Sequence, residues 1–176
     1  MPALLTIFAT SFVIALSGAL MPGPLLTVVI GESPRRGYLA GPLLILGHGL
    51  LELALVVAIV VGLAPVLRRP MVFTATAVIG AGVLAWMAWG MFRALPGITL
   101  QTPTGQAAGR NLVAAGALMS IANPYWSIWW VTIGLGYITH SRGYGVWGLI
   151  FFFAGHILAD LAWYSAVSAA IWKGGR

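Results

Sequence analysis

The chain has 176 residues, 60% of them apolar or aromatic and only 7% charged, with nine Lys or Arg against three Asp or Glu; an average soluble domain carries roughly 25% charged residues. So few charges cannot clothe a domain of this size in water, which excludes a soluble fold and makes lipid the main solvent. The absence of cysteine removes disulfide frameworks, cysteine zinc sites, iron–sulfur clusters and thiol relays together.

Hydrocarbon about 30 Å thick needs roughly 20 apolar helical residues. Five runs reach that length: Leu4 to Ile30, Tyr38 to Leu63, Val72 to Phe92, Leu112 to Tyr137 and Gly145 to Trp172. The first has no basic leader and is too long for a signal-peptide core. It also carries Pro22-Gly23-Pro24 where a cleavage site would need small residues, so it reads as a retained membrane helix. Turn and charge signals separate the runs: Glu32 to Gly37, then Pro65 to Pro70, the polar stretch from Arg93 to Arg110, and His140 to Gly143. Only the third of these is long enough to act as a linker.

Basic residues fall unevenly on alternate sides. Arg35, Arg36, Arg93, Arg110, Lys173 and Arg176 share one side, and Arg68, Arg69 and Arg142 the other. The excess predicts an outside N-terminus and an inside C-terminal tail. Placed between apolar runs, the net charge of +6 marks topology rather than nucleic-acid binding.

The halves resemble each other. Gly47-His48-Gly49-Leu50-Leu51-Glu52-Leu53-Ala54 in the second run matches Gly155-His156-Ile157-Leu158-Ala159-Asp160-Leu161-Ala162 in the fifth. Pro22-Gly23-Pro24 interrupts the first run and Asn123-Pro124 the fourth. A repeat of three helices enters the membrane from opposite sides, so the expected fold is all-α: a polytopic membrane protein of two inverted three-helix repeats, with five of an expected six helices present. The expected units are residues 1–92, a cytoplasmic connector over 93–111, and 112–176 without its third helix. The tail Lys173-Gly174-Gly175-Arg176 reads as a connector, which suggests truncation.

Glu52 and Asp160 lie near the middle of their runs, where insertion of an acid costs about 2.5–3.5 kcal/mol. Four residues before each stands a histidine, His48 and His156, on the same helix face about 6 Å along the axis, where carboxylate and imidazole can share a proton. The alternative is interhelical hydrogen-bonding glue. Pro22 and Pro24 should free the carbonyls of Gly18 and Leu20, and Pro124 that of Ser120. Freed groups in lipid need protein or a wet cavity, and half-helices starting near Leu25 and Tyr125 would aim amide N–H groups at an anion there. Thr27, Asn123 and Ser127 are neighbouring polar groups. Among the aromatics only Tyr125 and Trp126 carry functional weight; Tyr137, Tyr144, Trp147 and Trp172 fit an interfacial belt, and Trp129 and Trp130 lie just past the break.

Met21-Pro22-Gly23-Pro24, the glycine-rich stretch from Gly37 to Gly49, Asn123-Pro124-Tyr125-Trp126 and Gly155-His156 with Asp160 resemble, in order over nearly the whole chain, the lysine exporter (LysE) family of translocators. The resemblance implies a small inner-membrane carrier of six helices in two inverted repeats, commonly a homodimer, exporting amino acids or related metabolites in exchange for protons.

The expected site follows. Substrate is bound by Pro22, Gly23, Pro24, Thr27, Glu52, Asn123, Pro124, Tyr125, Trp126 and Asp160, and His48, Glu52, His156 and Asp160 couple protons, imidazole with its ordinary pKa near 6.5 being the natural shuttle. The alternative cargo is a divalent metal held by His48, Glu52, His156 and Asp160. No cofactor is expected, and the partners are a small-molecule substrate, protons and lipid. No nucleophile with a base in reach, no two-histidine zinc motif and no phosphate loop is present, so an enzyme is not expected.

Overall fold

In a computed structural model of the protein, residues 1–67 and 111–175 are described continuously, and between them 69–72, 74–75, 78, 82, 85–86, 89 and 92–93. The third run therefore lies largely outside the described residues. The expected 93–111 connector does so entirely, apart from its first and last residues.

Every regular element among the described residues is helical. The chain runs through α1 (Pro2–Ala19), α2 (Pro24–Arg36), a 3-10 turn (Gly37–Leu39), α3 (Ala40–Ala58), a π-helical turn (Ile59–Leu63) and α4 (Ala64–Leu67). It continues through α5 (Leu112–Ile121), α6 (Pro124–Trp129), a second π-helical turn (Trp130–Gly134), α7 (Leu135–Arg142) and α8 (Gly145–Gly174). Three helical stretches, Pro2–Ala19, Pro24–Val66 and Gly145–Gly174, are long and apolar enough to cross a membrane. The protein is an all-α membrane protein.

The prolines divide the first and fourth runs into separate helices. Pro24 and Pro124 each open a helix after an extended residue, Gly23 and Asn123, because a proline at the first helical position gives up only an amide that would be unpaired anyway. Two of the three expected loose carbonyls are not loose: Met21 N–H closes onto the Gly18 carbonyl and Asn123 N–H onto that of Ser120, both at 3.0 Å. A tightened last turn satisfies them locally.

Two connectors are shorter than their composition suggests. Glu32, Ser33 and Pro34 are helical within α2, and the turn sits at Gly37, whose φ of +71° favours glycine. Pro34 is tolerated near the helix end, where Ser33 Oγ donates to the Val29 carbonyl at 2.5 Å. Likewise His140, Ser141 and Arg142 form the last turn of α7, and the chain reverses at Gly143 and Tyr144. Trp172, expected in the aromatic belt, packs on Tyr38 with ring centres 5.4 Å apart, and Ser168 Oγ donates to the Tyr38 carbonyl at 2.9 Å.

The main contacts are α1 along α8, α3 along α5, and α3 against α8. Glycines let the backbones approach: a Cβ on Gly47 would strike the Val113 carbonyl, one on Gly116 the Leu44 carbonyl, and one on Gly155 the Phe8 carbonyl. Gly47→Val is accordingly expected to destabilise the bundle by about 1–3 kcal/mol through overpacking, read as a lowered melting temperature in detergent.

Two apolar clusters result. One joins Val29, Leu44, Leu112 and Tyr164; the other joins Ile7, Val56, Trp130 and Phe152. Because Leu44 and Tyr164 share one cluster and Val56 and Phe152 the other, α3 and α8 run in opposite directions. Both carry their polar residues between the two clusters.

Candidate functional site

That intermediate layer holds His48, Glu52, His156 and Asp160, which are 6%, 1%, 5% and 6% exposed. Burial at this level excludes a role as surface charges and requires partners for each polar atom. One ligating atom from each of the four residues lies within 4.8 Å of the others. The i, i+4 spacing brings His48 Nε2 to 3.1 Å from Glu52 Oε1 within α3, and His156 Nε2 to 3.7 Å from Asp160 Oδ2 within α8. The helices then cross-connect: His156 Nε2 lies 3.0 Å from Glu52 Oε2, and His48 Nε2 lies 3.6 Å from Asp160 Oδ2.

Glu52 is the hub. Trp126 Nε1 and Trp130 Nε1 both donate to its Oε1, at 3.0 and 2.9 Å. With both imidazoles beside it, the carboxylate meets four N–H-bearing rings, about its full capacity as an acceptor. His48 is held from its other side by Ser120, with Nδ1 and Oγ 2.7 Å apart, while Ser120 Oγ donates to the Gly116 carbonyl at 2.7 Å. The single hydroxyl proton is thus committed, so His48 Nδ1 is the donor to Ser120. His156 is held by ring contacts instead, 4.7 Å from Trp129 and 5.4 Å from Trp130 between centroids. Its Nδ1 and the Oδ2 of Asp160 are buried without a hydrogen-bond partner.

A small cavity of about 60 Å3, partly open to the outside, borders this layer. His48, Glu52, His156 and Asp160 line it, joined by Asn123, Tyr125 and Trp126 from the break in the fourth run. Pro22, Gly23, Pro24, Thr27 and Pro124 are not among its lining residues. Thr27 is exposed and turns its hydroxyl back to the Gly23 carbonyl at 3.1 Å. Gly23 nevertheless abuts the site, since a Cβ there would lie 3.3 Å from Asn123 Nδ2. Asn123 Oδ1 is already committed to the Tyr125 amide at 3.1 Å, which leaves the Nδ2 end as the group free to meet a ligand.

Ser120, Trp129, Trp130 and Tyr164 also line the cavity and were not singled out by sequence. Trp130 had a legible signal: it follows Trp126 by four residues, so both indoles can address one acceptor across a turn. The π-helical turn that starts at Trp130 folds its ring back over Gly134, where any Cβ would strike the indole. Gly134→Ala is expected to push Trp130 off Glu52, costing about 1.5–3 kcal/mol for a lost bond to a charged group, seen as a lower melting temperature that Trp130→Phe reproduces and does not add to.

Charged and aromatic groups meeting a cavity halfway along membrane helices suit passage of a solute. Sequence comparison points the same way: the LysE type translocator family matches residues 16–171. No curated protein and no solved structure was found to match the chain. A polar, cavity-lined layer inside apolar helices and a family match over most of the chain lead to one conclusion: the protein belongs to the LysE type translocator family and is an integral membrane transporter rather than an enzyme.

Proposed function

We propose that the chain is a proton-coupled secondary transporter that exports amino acids or related small metabolites across the inner membrane. Its N-terminus lies outside and its C-terminal tail inside. The observation that carries this reading is the meeting of two His–acid pairs, one on α3 and one on α8, within 4.8 Å of one another beside a cavity. The opposite directions of α3 and α8, with a broken helix packed on each, support a pseudo-symmetric carrier whose two sides can open alternately.

Cargo and proton exclude one another at the cluster. A zwitterion entering from inside puts its ammonium group against the carboxylates and its carboxylate toward Asn123 Nδ2. When the cargo leaves outward, a proton from the outer side takes the place of the ammonium. That proton is released inside as the next cargo binds. The four donors around Glu52 keep a carboxylate buried through both states, since a charge at that depth persists only with such partners.

The test is efflux of radiolabelled amino acids from preloaded proteoliposomes with an imposed pH gradient. Flux that accelerates when the gradient is inward for protons supports the proposal, and flux indifferent to the gradient removes the coupling. A divalent cation is the second reading of the cargo, favoured by four ligating atoms so close together. Uptake of cobalt or zinc by the same vesicles, with no amino-acid flux, would move the assignment there.

A further inference from the structure

Matching contacts run through two helix pairs. Where α3 meets α5, Gly47 lies against the Val113 carbonyl and Gly116 against the Leu44 carbonyl. Where α8 meets α1, Gly155 lies against the Phe8 carbonyl, and Ser11 Oγ donates to the Phe152 carbonyl at 2.7 Å. Gly47 thus answers to Gly155, Leu44 to Phe152, Val113 to Phe8 and Gly116 to Ser11. One register makes His48 the counterpart of His156 and Glu52 that of Asp160. The other carries Ser120, four residues after Gly116, onto Ala15, four after Ser11. Ala15 is 2% exposed and lines the cavity. The bond that Ser120 accepts from His48 therefore has no equivalent, and His156 Nδ1 is left without a partner.

The hydrogen bonds also assign the protons. His48 donates from Nδ1 to Ser120, and its Nε2 faces only carboxylate oxygens, so both nitrogens carry hydrogen. His156 Nε2 donates to Glu52 Oε2, while its Nδ1 has no hydrogen-bond partner. Asp160 Oδ2 is a buried acceptor that likewise lacks one. A buried carboxylate oxygen without a donor calls for one, and a positively charged donor meets it most strongly.

We infer that the two halves of the cluster do different work: His48 and Glu52 form a fixed scaffold, and the His156–Asp160 half, opposite Ala15, receives the protonated amine of the cargo. The inference rests on the reading of the cavity as a cargo site. Glu52 has no capacity left for a ligand, whereas Asp160 Oδ2 has no hydrogen-bond partner among the described residues and lies 3.6 and 3.7 Å from the two imidazoles. Ala15 keeps the Nδ1 edge of His156 open by lacking the hydroxyl that occupies the other half.

The test uses the full chain in detergent for melting temperatures and in proteoliposomes for counterflow of a radiolabelled mixture of amino acids. Asp160→Asn is expected to raise the half-saturating concentration at least about tenfold, the value of one charged hydrogen bond, with little change in melting temperature. Glu52→Gln, which meets the same donors with an amide, is expected to lower the melting temperature by at least about 5 °C. Ala15→Ser gives His156 Nδ1 a partner and is expected to raise half-saturation several-fold more than Ala15→Cys, which fills similar space with a poor hydrogen-bonding group. Equal melting-temperature losses in the two carboxamide variants would overturn the inference. So would a greater loss in Asp160→Asn, or no difference between Ala15→Ser and Ala15→Cys. Wild-type vesicles without counterflow would overturn the amino-acid reading instead, and the two melting temperatures alone would still decide whether the halves differ.

Discussion

Glu52→Ala is expected to be the most damaging single substitution to folding, at about 3–5 kcal/mol, the usual cost of breaking a buried charge network by removing one partner. The Trp126 and Trp130 indoles and the two imidazoles converge on this one carboxylate; without it the two indoles lose their acceptor and the two imidazoles keep only Asp160 Oδ2, at 3.6 and 3.7 Å. Thermal unfolding followed by circular dichroism, with recovery of monodisperse protein, measures the effect. Trp126→Phe and Trp130→Phe each withdraw a single donor and leave the acceptor occupied, so each should cost about 1.5–3 kcal/mol. A Glu52→Ala protein as stable as the wild type would mean that the layer is not held by this carboxylate.

The second large effect is on transport. His156→Ala combined with Asp160→Asn is expected to reduce proton-driven amino-acid flux at least about a hundredfold, since two charge-assisted contacts to the cargo are lost together. The fold should survive at a cost of about 1.5–3 kcal/mol, because His156 supplies only one of the four donors to Glu52 and Asp160 is not an acceptor for any described residue within 3.5 Å. Size-exclusion profiles and melting temperatures of the same preparations separate lost transport from lost protein. Unchanged flux in the double variant would remove these residues from the transport path.

Much of the site was legible because membrane burial makes polar residues conspicuous. A chain with three acids that spends two of them in mid-helix must partner them, and the i, i+4 histidines were the nearest partners available. The proline breaks were equally plain, since proline fixes where a helix can start, and the structure starts α2 and α6 at Pro24 and Pro124. Helix rotation was not legible. Sequence spacing puts Thr27 near the first break, but the turn of α2 points it away from the cavity and its hydroxyl closes on its own backbone. Rotation also decides that Trp130 reaches Glu52 across two helices, and that Ser120 rather than an acid fixes the tautomer of His48.

Proline breaks also misled in one respect. Loss of an amide predicts an unsatisfied carbonyl, but a residue beyond the helix end can close a tighter turn onto it, as Met21 and Asn123 do. The Gly18 and Ser120 carbonyls therefore need no wet cavity for their own sake. What draws the fourth-run break to the cavity is the side chain of Asn123 and the aromatic residues after it. In the same way, composition suggested loops over Glu32 to Gly37 and His140 to Gly143, where helices continue almost to the glycine. Polar residues at a membrane helix end extend the helix into the headgroup region rather than terminating it.

The central claim is that cargo and proton compete for the buried layer of His48, Glu52, His156 and Asp160. It is tested most directly by following proton movement, with a pH-sensitive dye inside proteoliposomes, while radiolabelled amino acids are counted in the same vesicles. Adding amino acids on one side is expected to drive protons the opposite way, and His156→Ala with Asp160→Asn to abolish both movements together. Amino-acid flux with no accompanying proton movement in the wild-type protein would contradict it.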